Sequence, residues 1–331
     1  MATGPATVRW LLCGRGRPVD AASPQADYVV VLTRSGGFVL HPDIEASRVE
    51  SEERFEELGY EPVAYPWHAG PETAVAEMLA GSQAVADAEA EDRLAPHRRL
   101  LVEAERERLR AAGADCAAAV EAALARLGPQ VSELDAAGEL AYRTRGRGFF
   151  PKVVLVACDR RQKVHRHPLP TPAPLGAHAL LAVTAEREGL HVSLTRIVAF
   201  GRPPGELARL VRLAAEVDAV MLEASRPGVA LGEILLAADR AYAARGFPGE
   251  WRRHHQGGLT GYRGREVFAT PDEPTELPRS CAVAWNPSVT GGAKSEDTAL
   301  VSADGVEVVT RTPSLAELDV GGLRRPGIVT L

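Results

Sequence analysis

The stretch His254-His255-Gln256-Gly257-Gly258-Leu259-Thr260-Gly261-Tyr262-Arg263-Gly264-Arg265-Glu266 gathers imidazole, amide, guanidinium and carboxylate groups between glycines. That mixture is the lining of a site rather than a core. An imidazole titrates near neutrality and both takes and gives a proton, and a guanidinium holds a carboxylate through two parallel hydrogen bonds. A second segment, His165-Arg166-His167-Pro168-Leu169-Pro170, spaces two imidazoles so that they would share one face of a strand. With His254, His255, Glu266 and Glu296 these residues could assemble a metal site. The same imidazoles serve equally as hydrogen-bonding or acid/base groups.

The elements that must position these residues belong to a chain of 331 residues, 45% hydrophobic and 25% charged, enough for two domains and a large core. The net charge of −6 argues against a general polyanion binder, so no nucleic-acid partner is expected, and the one basic cluster, Arg160 to His167, is short. Cys13, Cys116, Cys158 and Cys281 lack disulfide-framework or metal-ligand spacing, which fits a reducing compartment. The apolar run Trp10 to Cys13 is too brief for a signal segment, and no stretch reaches the roughly 18 apolar residues of a membrane span. The expectation is a cytoplasmic protein without a membrane partner.

Asp27 to Leu32 and Phe38 to Leu40 flank the turn Ser35-Gly36-Gly37 and read as a hairpin. Glu45 to Leu58 has helical spacing, Glu61 to Trp67 reads as a strand, and Leu94 to Leu127 as a long helix broken near Gly113. An internal repeat follows. Glu133, Ala137, Ala141, Tyr142, Arg145 and Gly146 recur at a constant offset of 100 residues as Glu233, Ala237, Ala241, Tyr242, Arg245 and Gly246. Each copy opens at a Gly/Pro turn and stops at a glycine, as an amphipathic helix with its own cap does. Strands are expected after each: Lys152 to Cys158, Ala179 to Thr184 and His191 to Phe200, then Cys281 to Trp285 and Thr298 to Val309. Two copies of helix plus antiparallel strands predict a pseudo-twofold α+β domain with a cleft where the halves meet.

The histidine loop resembles the His-Gly-x-Gly-His-x-x-Gly region of the creatinase and aminopeptidase P family (M24), and Gly264-Arg265-Glu266 is similar to the Gly-Arg-Glu that follows it in creatinases. Ile44-Glu45-x-x-Arg48, Arg226-Pro227-Gly228, Tyr242-x-x-x-Gly246-Phe247 and Ser295-Glu296-Asp297-Thr298 add to the resemblance in the same order along the chain. It implies the α+β pita-bread fold, here residues 91–331, preceded by a small α/β N-terminal domain, residues 1–90. Family metallopeptidases hold two divalent ions with two aspartates, a histidine and two glutamates. Carried over by position, those ligands fall on Ala182, Ser193 (opening Ser193-Leu194-Thr195-Arg196), Gly258, Asn286 and Glu296. Only Glu296 keeps a carboxylate, so the resemblance implies a member without the dinuclear centre and without a cofactor.

Creatinases are the metal-free members, using a histidine as general acid and base while glutamates and an arginine grip the substrate. His167 lies about where that histidine falls, and Arg265 matches the arginine. The two gripping glutamates map to Thr195 and Asn286, which makes creatine an unsuitable substrate. The expected function is a metal-independent hydrolase that cleaves or remodels a C–N bond of a small carboxylated or amide-bearing molecule or short peptide. In that reading His167 and Arg265 are catalytic, and His254, His255, Gln256, Glu266, Asn286, Glu296, Ser193 and Thr195 shape the substrate pocket. A non-catalytic pseudoenzyme that binds a peptide or protein, and a metallopeptidase with a remodelled metal site, are the alternatives. The resemblance further implies a homodimer, with Tyr65 and Trp67 as candidate interface aromatics.

Overall fold

The computed structural model describes residues 1–79, 81 and 83–331, which form two compact units, Met1–Arg98 and Arg99–Leu331. In the first, helix α1 (Pro5–Leu11) precedes strands β1 (Val29–Leu32), β2 (Gly37–Pro42) and β3 (Tyr60–Tyr65), with helices α2 (Glu72–Leu79) and α3 (Glu91–Arg99) after them. β1 pairs antiparallel with β2 through the expected hairpin, and β2 pairs parallel with β3. Side chains alternate across this sheet: Val30 and Val39 pack with Val8, Leu12 and Phe55 on one face, while Val29, Val31 and Leu40 meet Val75 and Met78 on the other. The segment expected as one helix, Glu45 to Leu58, is instead a series of short helical turns interrupted at Arg54, whose backbone is left-handed. The unit runs eight residues past the expected limit at residue 90, because α3 buries Arg98 against Glu91 and Thr7.

The second unit begins with α4 (Glu103–Leu124) and α5 (Glu133–Arg145). α4 is continuous through Gly113, and the break falls at 100–102, where Glu105 folds back to accept the backbone N–H of Val102 at 2.8 Å. The glycine has another use: a Cβ there would stand 2.4 Å from the carbonyl oxygen of Val309, so it lets the helix lie against that strand end. Ser132 caps α5 by accepting the Asp135 N–H at 3.0 Å. Next come β4 (Phe150–Cys158), the short α6 (Asp159–Val164), β5 (His178–Arg187) and β6 (Leu190–Ala199), the last two joined by a two-residue turn with positive φ at Glu188 and Gly189. Helices α7 (Gly205–Ala224) and α8 (Leu231–Ala244) open the second half. It continues with β7 (Gly257–Thr260), β8 (Val267–Phe268), β9 (Cys281–Trp285), β10 (Ser288–Val289), β11 (Ala293–Lys294), β12 (Asp297–Ser302) and β13 (Gly305–Val308), and ends with β14 (Glu317–Val320), β15 (Leu323–Pro326) and β16 (Ile328–Thr330). The expected strand Thr298 to Val309 is thus a hairpin of β12 and β13.

Two larger sheets result, ordered β16-β6-β5-β4 and β13-β12-β9-β7-β8, with a helix pair for each half, beside the two-stranded β10-β11 and β14-β15. α7 presents Leu207, Leu210, Val211, Ala214, Val217, Met221 and Leu222, spaced three and four apart, to a core that also holds Ile234, Tyr242, Val283 and Trp285. The sheets join where β6 meets the start of β12: the Thr195 N–H reaches the Glu296 carbonyl at 3.1 Å, and the Ser193 N–H reaches the Thr298 hydroxyl at 2.7 Å. Beneath this seam runs a chain of buried charges. Arg196 of β6 pairs with Asp297 at 2.9 Å, Asp297 with Arg325 of β15 at 2.9 Å, and the Arg325 Nε–H with Asp218 of α7 at 3.0 Å. Ser295, Thr310 and Thr312 supply further hydrogen bonds to the chain. Among the described residues no helix is long and apolar enough to cross a membrane. Breaking one link strands a buried charge. Asp297→Asn is therefore expected to lower stability by about 3–5 kcal/mol in urea unfolding, and a loss no larger than that of a surface substitution would show that the chain does not hold the sheets together.

Candidate active site

A cavity of about 270 Å³ opens beside the β6–β12 seam. One side is apolar: Val153 and Leu155 from β4, Ala182 and Val183 from β5, and Phe268 from β8. The other carries His167, His255, Arg265, Asn286, Lys294 and Glu296. His167 sits on the loop after α6, beside Arg166, which is anchored to Glu250 at 2.7 Å and Thr290 at 2.8 Å. Arg265 lies on the turn between β7 and β8, steadied from α4 by Tyr262, whose hydroxyl donates to Glu105 and accepts from Arg108. The extended run 294–297 alternates, sending Lys294 and Glu296 to the cavity while Ser295 and Asp297 enter the buried charge chain.

Glu296 is the electrostatic centre of the polar side. Its carboxylate accepts the Thr195 hydroxyl at 2.5 Å and faces the Lys294 ammonium and the Arg265 guanidinium at 3.4 Å each. Burial pushes the carboxyl up, but Lys294, Arg265 and Thr195 outweigh it and hold Glu296 below the usual carboxylate range. Arg265 also donates to the Gly264 carbonyl at 2.6 Å and, more loosely, to Ser193 at 3.4 Å. Its Nε and the Oδ1 of Asn286 are buried without a hydrogen-bond partner among the described residues.

Three imidazoles cluster here, His167 and His255 lining the cavity and His254 buried beside them. His167 and His254 meet Nε2 to Nε2 at 2.9 Å, and His255 stacks on His254 with centroids 4.4 Å apart. Burial, then the Lys294 charge, lowers His167, with Glu296 opposing. Burial first and Arg265 and Lys294 next push His255 down to about 4, and burial with the cations Lys294 and Arg166 and the other two histidines drives His254 far below its ordinary value. All three are neutral at pH 7. In the 2.9 Å contact one ring donates its N–H and the other offers a lone pair, so the tautomer of one fixes that of the other at this nitrogen. Ligand atoms of the three lie within 4.8 Å of one another, the one grouping of this kind among the described residues that could also hold an ion.

The remaining expected residues divide. Ser193 and Thr195 stand behind the wall, supporting Arg265 and Glu296. Gln256 departs from the expected pocket role because its amide is engaged elsewhere: it accepts from Tyr242 at 2.8 Å and donates to the His254 carbonyl at 2.5 Å, fixing the histidine loop. Glu266 is buried beside Gly261 and off the cavity wall. His165 is exposed on a loop rather than paired with His167 on a strand. Of the expected interface aromatics, Trp67 is exposed and Tyr65 half-buried. Lys294 and Phe268 were not anticipated, although the Lys294-Ser295-Glu296 alternation in an extended run carried the signal for the lysine.

The sequence pattern of Metallopeptidase family M24 matches residues 107–303, and the chain belongs to that family. Its second unit is the family's pita-bread domain, and the first is the smaller domain that precedes it. Similar folds include the prolidase from Pyrococcus furiosus (17% identity, TM-score 0.75, covering 94% of this chain and 95% of that one) and the Xaa-Pro dipeptidase from Bacillus anthracis (16%, 0.72, 100% and 94%). The N-terminal domain of FACT complex subunit SPT16 from Cicer arietinum is also similar (12%, 0.64, 93% and 95%). No curated protein sequence matches the chain.

The family's two metal ions do not fit the residues present. Ala182, Asn286 and Glu296 line the cavity, with Ser193 close behind, so the positions that correspond to ligands do converge. An alanine, a serine and an amide cannot supply the charge two dications require. Glu296 is already neutralised by a lysine and an arginine. At Gly258 a Cβ would stand 2.0 Å from the Val267 carbonyl oxygen, because β8 has closed over the place a side chain would occupy. Gly258→Ala is accordingly expected to cost about 1–3 kcal/mol by overpacking. Thermal unfolding checks this, and an unchanged midpoint would mean that the β7–β8 pairing yields easily.

Proposed function

We propose that the protein is a hydrolase of C–N bonds in small carboxylated molecules, working through a histidine pair rather than the family's dinuclear metal centre. The observation that carries this reading is the His167–His254 contact at 2.9 Å on the rim of a cavity whose opposite floor is cationic. The substrate carboxylate rests on Arg265, and the scissile bond lies toward His167. Neutral His167 takes a proton from water as the water oxygen bonds to the carbon; the C–N bond then breaks and the same proton passes to the leaving nitrogen. His254, with its lone pair or N–H toward His167, sets which tautomer is ready. Each turnover consumes one water and returns the imidazole to its starting state.

Two substitutions separate the roles. His167→Asn keeps a hydrogen-bonding group without proton transfer, so turnover is expected to vanish while substrate affinity stays near that of the native protein. Arg265→Lys is expected to weaken affinity by about 1–3 kcal/mol, since a point charge cannot reproduce a forked contact. Single-turnover kinetics with a panel of N-substituted amino acids reads both; full activity in His167→Asn would end its assignment as the acid and base.

The histidine cluster also supports a second reading, a remodelled metal site, because His167, His254 and His255 are neutral and close enough to share an ion. Lys294 and Arg265 oppose it by facing any dication with like charge. On the first reading, purified protein carries less than one equivalent of metal and retains activity in chelator. Stoichiometric cobalt that produces visible absorption, lost in His254→Ala, would favour the second.

A further inference from the structure

We propose that Lys294, Arg265 and Glu296 form a subsite for one carboxylate, and that Glu296 acts there as the counterion that limits the ligand to a single negative charge. The proposal deepens the reading above, on which it rests, by naming the charge and polar pattern of the ligand.

The three side chains are only 8% (Arg265), 6% (Lys294) and 6% (Glu296) exposed, so water screens them little. They are the charged groups on the cavity wall among the described residues, and two cations against one carboxylate leave one positive charge uncompensated. The histidines beside them are neutral and add nothing to that sum. A buried unpaired charge is costly, and a ligand that brings one negative charge removes the cost. The existing pairs have room to yield. At 3.4 Å both contacts of Glu296 are longer than the 2.7–2.9 Å of a close charge-assisted hydrogen bond. The Arg265 Nε has no acceptor among the described residues, so the guanidinium keeps one donor that a small shift of the side chain would offer to an incoming oxygen.

The rest of the wall adds two features. Asn286 lines the cavity with an amide that carries both a donor and an acceptor, so it can pair with an amide of the ligand. Val153, Leu155, Val183 and Phe268 accept a short aliphatic part. The matching class is a small monocarboxylate bearing an amide, such as an N-acyl amino acid. A dicarboxylate of the same size brings one negative charge too many and meets Glu296.

Altering the charge of the trio one step at a time, in the full-length chain, is the test. Lys294→Met takes the sum to zero, the native protein carries plus one, and Glu296→Gln takes it to plus two. Titration calorimetry with N-acetylglycine, in chloride-free buffer, is expected to rank affinity in that order, with at least tenfold loss in Lys294→Met and at least tenfold gain in Glu296→Gln. Malonate is expected to bind measurably only to Glu296→Gln, and neutral N-acetylglycinamide to none of the three. Equal or weaker N-acetylglycine binding in a folded Glu296→Gln would overturn the counterion role, as would amide binding equal to that of the acid. Should Glu296→Gln not fold, unchanged affinity in Lys294→Met overturns the subsite and a tenfold loss supports it. Calorimetry needs no turnover, so a protein that binds in this order yet hydrolyses nothing keeps the subsite and loses only the hydrolase reading.

Discussion

The buried charge chain Arg196–Asp297–Arg325–Asp218 is the constraint on which the rest of the second unit depends. It draws together a strand of the first half, a strand of the second, a core helix and the segment before the C-terminal strand. Because side chains alternate along an extended run, fixing Ser295 and Asp297 in that chain commits Lys294 and Glu296 to the opposite side, where the cavity lies. Position in the site is therefore inherited from an interaction that never touches a ligand. A polar chain of this kind ties the register of the run: a shift of one residue would take Glu296 out of the cavity and Asp297 out of its pairs with Arg196 and Arg325.

The fold tolerates a change in what balances its central carboxylate. Here the balance comes from an ammonium and a guanidinium on tethers, both within reach of Glu296. Side-chain cations are monovalent, cannot polarise water as a dication does, and donate hydrogen bonds in fixed directions. Groups of this kind are suited to holding anions, and the imidazoles beside them have both tautomers open to them.

Much of this could be read in the residues. The hairpin of β1 and β2 followed from a β-branched run broken by Ser35-Gly36-Gly37. The helix repeat, the strands of the first half and the convergence of residues 182, 193, 286 and 296 on one place followed from spacing and resemblance. Other features depend on contacts between distant segments. Gly113 looks like a helix breaker until the Val309 carbonyl is seen against it. Gln256 looks like a site residue until Tyr242 is found across from its amide. Glu45 to Leu58 has helical spacing, yet the left-handed Arg54 divides it into short turns.

The closure of β8 over Gly258 bears on how such a chain could change over generations. With the Val267 oxygen 2.0 Å from where a Cβ would sit, the position accepts no histidine unless a whole strand first moves. Any side chain there requires the β7–β8 pairing to open, so a substitution at this position is coupled to the backbone and not to side-chain fit alone. The packing of one short strand thus restricts which residues the chain can admit at position 258.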